Sequence, residues 1–142
     1  MRMTIAFRLP RRPESVFIAR QILDRIFCAF GVHAGCRADI ALAVSEACSN
    51  AVQHARGQSS FEVAADSDDS GVTITVNDDG PGIAQGQVGG MPGPDVVNGR
   101  GMAIMRITTD AFELRRHNGR GVSVRLFKRL RWRDGAIGGL AG

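Results

Sequence analysis

The chain has no Tyr, one Trp, three Cys and a single Lys, Lys128, among its 18 basic residues, and each scarcity narrows what it can do. Cys28, Cys36 and Cys48 form an odd set with no CxxC pair, which argues against a disulfide framework or a zinc site and for buried free thiols. Without Tyr, and with its only Trp at position 132, the chain offers no platform on which nucleic-acid bases would stack. The net charge of +4 permits contact with a polyanion. An Arg-dominated basic complement is equally what GC-rich coding produces, and no direct nucleic-acid partner is expected. No apolar run approaches the ~20 residues of a membrane span. The N-terminal MRMTIAFRLPRR interleaves apolar residues with Arg and lacks the apolar core and small-residue cleavage site of an export signal. A cytoplasmic protein without a membrane partner is the expectation.

What is present suits one globular domain. At 142 residues, 44% hydrophobic and 23% charged, the chain can bury a core but is short for two domains. Residues 1–130 are expected to form that domain and 131–142, basic and then Gly-rich, a fraying tail. Residues 4–9 alternate as a strand that Pro10 closes. Pro13, Glu14 and Ser15 open a helix in which Val16, Ala19, Leu23, Ile26, Phe27 and Phe30 recur at helical spacing until Gly31. His33 falls in the loop that follows and carries no assigned role. A second helix runs over 37–55 and ends at Arg56 and Gly57. Residues 61–65 and 72–76 read as strands joined by an exposed polar turn. After the turn NDDGPGI comes AQGQVGGMPGPDVVNGRG, with six Gly and two Pro; few stable elements form in such a stretch, which reads as either a functional lid or a disordered segment. Met102, Ile104, Met105 and Ile107 indicate a short helix, and Ala111–Arg116 with Val122–Lys128 a closing hairpin around Asn118 and Gly119. The order β, α, α, β, β, lid, α, β, β does not alternate strictly. It predicts an α+β fold, a two-layer sandwich whose mixed, mostly antiparallel sheet is covered on one face by about three helices. No internal repeat is present.

The helix over 37–55 carries two unlike faces. Ile40, Ala43, Val44, Ala47, Ala51 and Ala55 gather on one broad side, and Glu46, Ser49, Asn50, Gln53 and His54 on the other. Glu46, Asn50 and His54 are spaced i, i+4, i+8 and stack one above the next. A solvated stripe favours Lys, Arg and repeated Glu; this one has one carboxylate, one imidazole and short neutral groups, a composition suited to lining a pocket. Downstream, Gly80 and Gly82 allow a backbone to approach a flat ligand closely. Asp78, just before them at a strand end, offers a carboxylate to an exocyclic amine. Gly99-Arg100-Gly101, ahead of the third helix, can set backbone N–H groups and a guanidinium against phosphates. The stretch is neither a Walker A loop nor a Rossmann fingerprint, because the Lys-Ser/Thr pair and the glycine spacing are missing.

Glu46-x-x-x-Asn50-Ala51-x-x-His54-Ala55, then Asp78-x-Gly80-x-Gly82-Ile83, then Gly99-x-Gly101-Met102, resemble the N, G1 and G2 boxes of the GHKL ATPase superfamily, in that order and over roughly residues 4–128. Within it the compact domain is similar to the anti-sigma-factor serine kinases and their ATP-binding relatives. The resemblance implies the Bergerat fold and a site for ATP and Mg²⁺. In it Asn50 ligates the metal, and Asp78 receives the adenine amino group with Gly80, Gly82 and Ile83 beneath the base. Gly99, Arg100, Gly101 and Met102 close on the phosphates, and Glu46 is the general base. His54 is assigned to structure. It further implies a protein serine/threonine kinase that regulates transcription through a sigma factor and a STAS-type antagonist, and that works as a homodimer. The alternative is a module that binds ATP and switches a partner without phosphotransfer. Two positions depart from the pattern: Val122 follows Gly121 where Thr is common, and Met102 stands where Leu is usual. Ser123 cannot replace the Thr, because neighbouring strand residues point to opposite faces.

Overall fold

The computed structural model describes residues 2–54, 59–78, 99–116 and 122–136. In chain order the elements are β1 (Met3–Pro10), α1 (Pro13–Phe30), α2 (Ala34–His54), β2 (Ser60–Ser67), β3 (Val72–Asn77), α3 (Gly99–Thr108), β4 (Ala111–Arg116) and β5 (Val122–Lys128). The strands form one sheet in the order β1-β2-β3-β5-β4, and every pairing is antiparallel. Period-two alternation decides which face is covered. Phe61, Val63 and Ala65 of β2, Val72, Ile74 and Val76 of β3, and Val124 and Leu126 of β5 are buried under the helices. Residues between them, such as Glu62, Thr75 and Arg125, belong to the open face. β1 is an edge strand whose Met3, Ile5, Phe7 and Leu9 pack on the core while Thr4, Ala6 and Arg8 are exposed.

Proline and glycine bound α1. Pro13 stands in its first turn, and Gly31 ends it at φ +90. That left-handed cap lets Gly31 N–H donate to Cys28 O and Val32 N–H to Phe27 O, satisfying carbonyls the last turn would leave bare. The position is closed to other residues on a second count: a Cβ on Gly31 would lie 2.2 Å from the Cβ of Ala136.

Both ends of α2 are held by residues distant in sequence. The helix starts at Ala34, three residues earlier than its apolar periodicity indicates. His33 explains the difference, since its Nδ1 accepts the N–H of Gly35 at 3.1 Å and so serves the helix start. In the next turns Arg37 pairs with Asp24 at 2.9 Å and Lys128 with Asp39 at 3.1 Å. Near the far end the Arg11 guanidinium donates from Nε to Val52 O at 2.8 Å, a cation at the negative pole of the helix.

Within the stretch 131–142, residues through Ala136 are bonded back to the α1–α2 connection. His33 N–H donates to Arg131 O, Arg133 N–H to Gly31 O, and Val32 forms a bridge with Trp132. Residues 137–142 lie outside the described ones, as does the stop at Arg56 and Gly57. The β2–β3 turn is tightened by Asp68, whose carboxylate accepts both the hydroxyl and the N–H of Ser70. Those two bonds hold the Asp68 carboxyl below its ordinary range.

All three thiols are free, but they are not alike: Cys36 and Cys48 are buried, whereas Cys28 is exposed on α1, contrary to the expected burial of all three. Cys28 sits on the solvent stripe of an amphipathic helix, where the spacing of α1 places it one turn past Asp24. Burial pushes the Cys48 thiol up to about 12. A neutral aromatic disulfide reagent should therefore modify one of the three thiols in the native protein and the rest only after denaturation, because the thiolate is the nucleophile. Fast modification of a second thiol in native buffer would contradict the packing of α2.

Candidate active site

The candidate site is built on the inner side of α2, where that helix packs over β3 and β5 and against α3. Asn50 is 5% exposed, and its Nδ2 is buried with no hydrogen-bond partner among the described residues. An amide N–H in that state costs about 1–3 kcal/mol relative to a bonded one, and a ligand acceptor atom would remove that cost; the Ser67 hydroxyl at the end of β2 is likewise unpaired among the described residues. Glu46, one turn earlier, is half-buried, as is Ser49, while Gln53 is exposed. The stripe thus grades from solvent into the interior across the helix. Its deep member is the one the resemblance assigns to the metal.

Asp78 follows the last residue of β3 and is fully buried, at 0% exposure. A carboxylate so placed is stable only with partners, and Asp78 is engaged. Gly80, Gly82 and Ile83, and the side chain of His54, lie outside the described residues. Gly99-Arg100-Gly101 form the first turn of α3 rather than preceding it. The cause is local: first-turn N–H groups have no intrahelical partner in any case, so a Gly-rich start costs no bonds. Their N–H groups and the positive pole of α3 favour an anion. Arg100 is exposed and Gly101 buried, and Met102 and Met105 seat the helix on the core.

The residues present fit a nucleotide with a divalent cation. The unpaired N–H group of Asn50 suits a phosphate oxygen, the Oδ1 of the same amide is the atom a hard cation would take, and a buried carboxylate at a strand end suits an amine. The helix start suits phosphates. Ser123 lies on the opposite face of the sheet from Asn50 and Asp78, in a depression lined by Thr75, Glu113, Arg115 and Arg125. A second depression on that open face, of about 460 Å³, is lined by Asp66, Thr73, Thr75, Arg125 and Phe127 among others; it is remote from Asn50 and Asp78, which belong to the helix-covered side.

Sequence reasoning overlooked the residues that set α2 in place: His33, Arg11, Lys128 and the segment after β5. The alternation of Arg129, Arg131 and Arg133 with Leu130 and Trp132 was the available signal for the last of these, since a strand with one buried face has that pattern.

A half-buried carboxylate one turn before a buried amide, over a strand that ends in a buried Asp and against a Gly-started helix, is an arrangement that can take a nucleotide. Residues 9–128 match the histidine kinase-like ATPase domain family, and the chain belongs to that family. Among solved structures it is similar to the RsbU and RsbW domains of Rv1364c from Mycobacterium tuberculosis, with 22% identity and a TM-score of 0.67 over 90% of this chain. The match covers 32% of that longer chain. No curated protein matches. Among the described residues no helix is long and apolar enough to cross a membrane.

Proposed function

We propose that this chain is a cytoplasmic ATP-binding regulator of the anti-sigma-factor type, a protein kinase that transfers the ATP γ-phosphate to a Ser or Thr hydroxyl of a STAS-type antagonist protein. The observation that carries the reading is the buried, unpartnered amide of Asn50 one helical turn from the half-buried carboxylate of Glu46. The likeness to a chain that contains an RsbW domain agrees with it at the level of fold.

In this reading Asn50 holds Mg²⁺ together with phosphate oxygens, Asp78 takes the adenine amine, and Gly99, Arg100, Gly101 and Met102 bound the phosphates. Gly80, Gly82 and Ile83 lie under the base. The bound Mg·ATP supplies the phosphoryl group and the charge neutralisation its transfer needs. Glu46 accepts the proton of the incoming hydroxyl, and its half exposure leaves room for that hydroxyl to arrive from solvent. The sigma factor is the second partner, released or held according to the phosphorylation state of the antagonist. A homodimer joined through β1, an edge strand, or through α1 is the proposed assembly.

The test is incubation with labelled Mg·ATP and a STAS-domain protein. Label transfer to the STAS protein, alkali-labile as a phosphoserine or phosphothreonine is, is the expected result. Nucleotide binding without transfer would sink the kinase and leave a switch that acts by binding alone. A true site also raises stability by ~2.7 kcal/mol at a hundred times the dissociation constant, so an absent thermal shift with Mg·ADP would remove both readings.

A further inference from the structure

Beyond β5 the chain continues as an extended segment whose side chains alternate. Leu130 and Trp132 pack on the core, and Arg129, Arg131 and Arg133 are all exposed on the other side. Side chains two apart in an extended chain share a face at ~6.5–7 Å spacing, so the three arginines form a row, in which the Arg131 guanidinium lies beside Gly35 and that of Arg133 beside Gly31. Three nearby acids are committed elsewhere: Asp110 accepts the Arg129 N–H at 2.7 Å, Asp39 pairs with Lys128, and Asp24 pairs with Arg37; Asp134, which follows Arg133, is exposed and makes no ion pair among the described residues. None of the three arginines forms an ion pair among the described residues.

The backbone of the same segment has one used edge and one free edge. Arg131 O accepts from His33 N–H at 2.7 Å, and Arg133 N–H donates to Gly31 O at 2.8 Å. Successive residues of an extended chain present N–H and C=O to opposite edges. Leu130 and Trp132 therefore aim theirs away from the α1–α2 connection, where no backbone partner meets them among the described residues. An unpaired edge of this kind is a template for another chain.

We propose that residues 129–133 dock an extended acidic segment of a partner polypeptide, which adds a strand along the Leu130 and Trp132 edge and sets Asp or Glu at every second position beside the arginine row. Adjacent strands bring same-face side chains to ~4.5–5.5 Å, so charge and backbone are read together. The segment recognised has acidic residues in strict alternation, not in a block. A nucleic acid fits less well, because it brings no backbone amides to a strand edge and Trp132 is packed against the core rather than free to stack. This docking site is independent of the ATP reading.

The chain has one Trp and no Tyr, so intrinsic emission reports on this segment directly. The intact protein is titrated with a labelled peptide of alternating Glu and Val, followed by Trp132 emission and by peptide anisotropy. Saturable binding that weakens with salt, and about tenfold loss of affinity in the Arg131→Gln, Arg133→Gln double variant with an unchanged unfolding midpoint, is expected for two exposed charge pairs. A peptide of equal composition with its Glu in one block should bind at least about tenfold more weakly, as should one carrying Pro at the strand positions whose N–H is needed. Equal binding of block and alternating peptides, tighter binding of a single-stranded oligonucleotide, or full affinity in the arginine variant would each overturn the proposal.

Discussion

Replacing Asn50 by Ala is expected to abolish Mg-dependent ATP binding, with at least about a hundredfold loss of affinity, while leaving the empty protein as stable or more so. Both halves follow from one side chain, whose Oδ1 is the acceptor a hard cation would take and whose Nδ2 is the donor left unpaired. Nδ2 of Asn50 is buried without a partner among the described residues, so in the absence of ligand the amide N–H is desolvated at a cost of about 1–3 kcal/mol that Ala does not incur. Stability is given up at such a position in exchange for binding, the usual trade at functional sites. Glu46→Ala should behave differently: Glu46 is only half-buried, so nucleotide affinity stays near wild type while phosphotransfer falls by about 10²–10⁴, the worth of a general base. Isothermal titration with Mg·ATP, a melting curve without nucleotide, and a transfer assay separate the three quantities. If both variants lose binding equally, Glu46 holds the nucleotide rather than the proton. If Asn50→Ala lowers the melting point of the empty protein by several degrees, the amide has a structural partner and the reading of it as a waiting ligand is wrong.

The features legible in the sequence are those whose cause is local. Alternation in 61–65 and 72–76, Pro13 and Gly31 around α1, and the apolar side of α2 each follow from periodicity or from a residue with one conformational role, and all the strands and helices they indicate are present. The sheet's order was not written locally. That β5 lies between β3 and β4 depends on long-range pairing, for which neighbouring residues carry no signal. The same distinction divides the site. Glu46 and Asn50 share a helix, and their i, i+4 spacing could be seen; that Asn50 is buried and Glu46 only half so depends on α3 and β3 arriving from elsewhere. His33 was illegible for another reason. A loop histidine has many uses, and its role at the start of α2 becomes visible only as a distance from Nδ1 to the Gly35 N–H. Composition does not show where the segment after β5 packs: Arg and Gly dominate it, and the contacts of Leu130 and Trp132 with the core are made by two apolar residues among the arginines.

Phe27→Ala is expected to cost about 3–5 kcal/mol, the largest stability loss of any single truncation in the seam between the first two helices. Phe27 is fully buried and shares that seam with Leu23, Ile40 and Val44. The seam as it stands has no room for a water, so the lost ring leaves an apolar void that water has little reason to enter. Collapse is resisted on both sides. The backbone of Phe27 accepts the Val32 N–H at 2.9 Å in the turn capped by Gly31, and α2 is fixed by Arg37, Lys128 and Arg11. With total stability of a domain this size about 5–15 kcal/mol, the variant should sit near the edge of folding. The urea midpoint should fall with little change in slope. Saturating Mg·ATP should restore ~2.7 kcal/mol at a hundred times its dissociation constant, because the ligand binds the folded helix pair. Phe17, on the same helix but 54% exposed, is the control; its truncation should cost less than about 1 kcal/mol. A Phe27→Ala loss no greater than that of Phe17→Ala would mean that α1 slides to refill the seam. The anchoring of α2, on which the placement of Asn50 and Glu46 rests, would then have to come from its two ends alone.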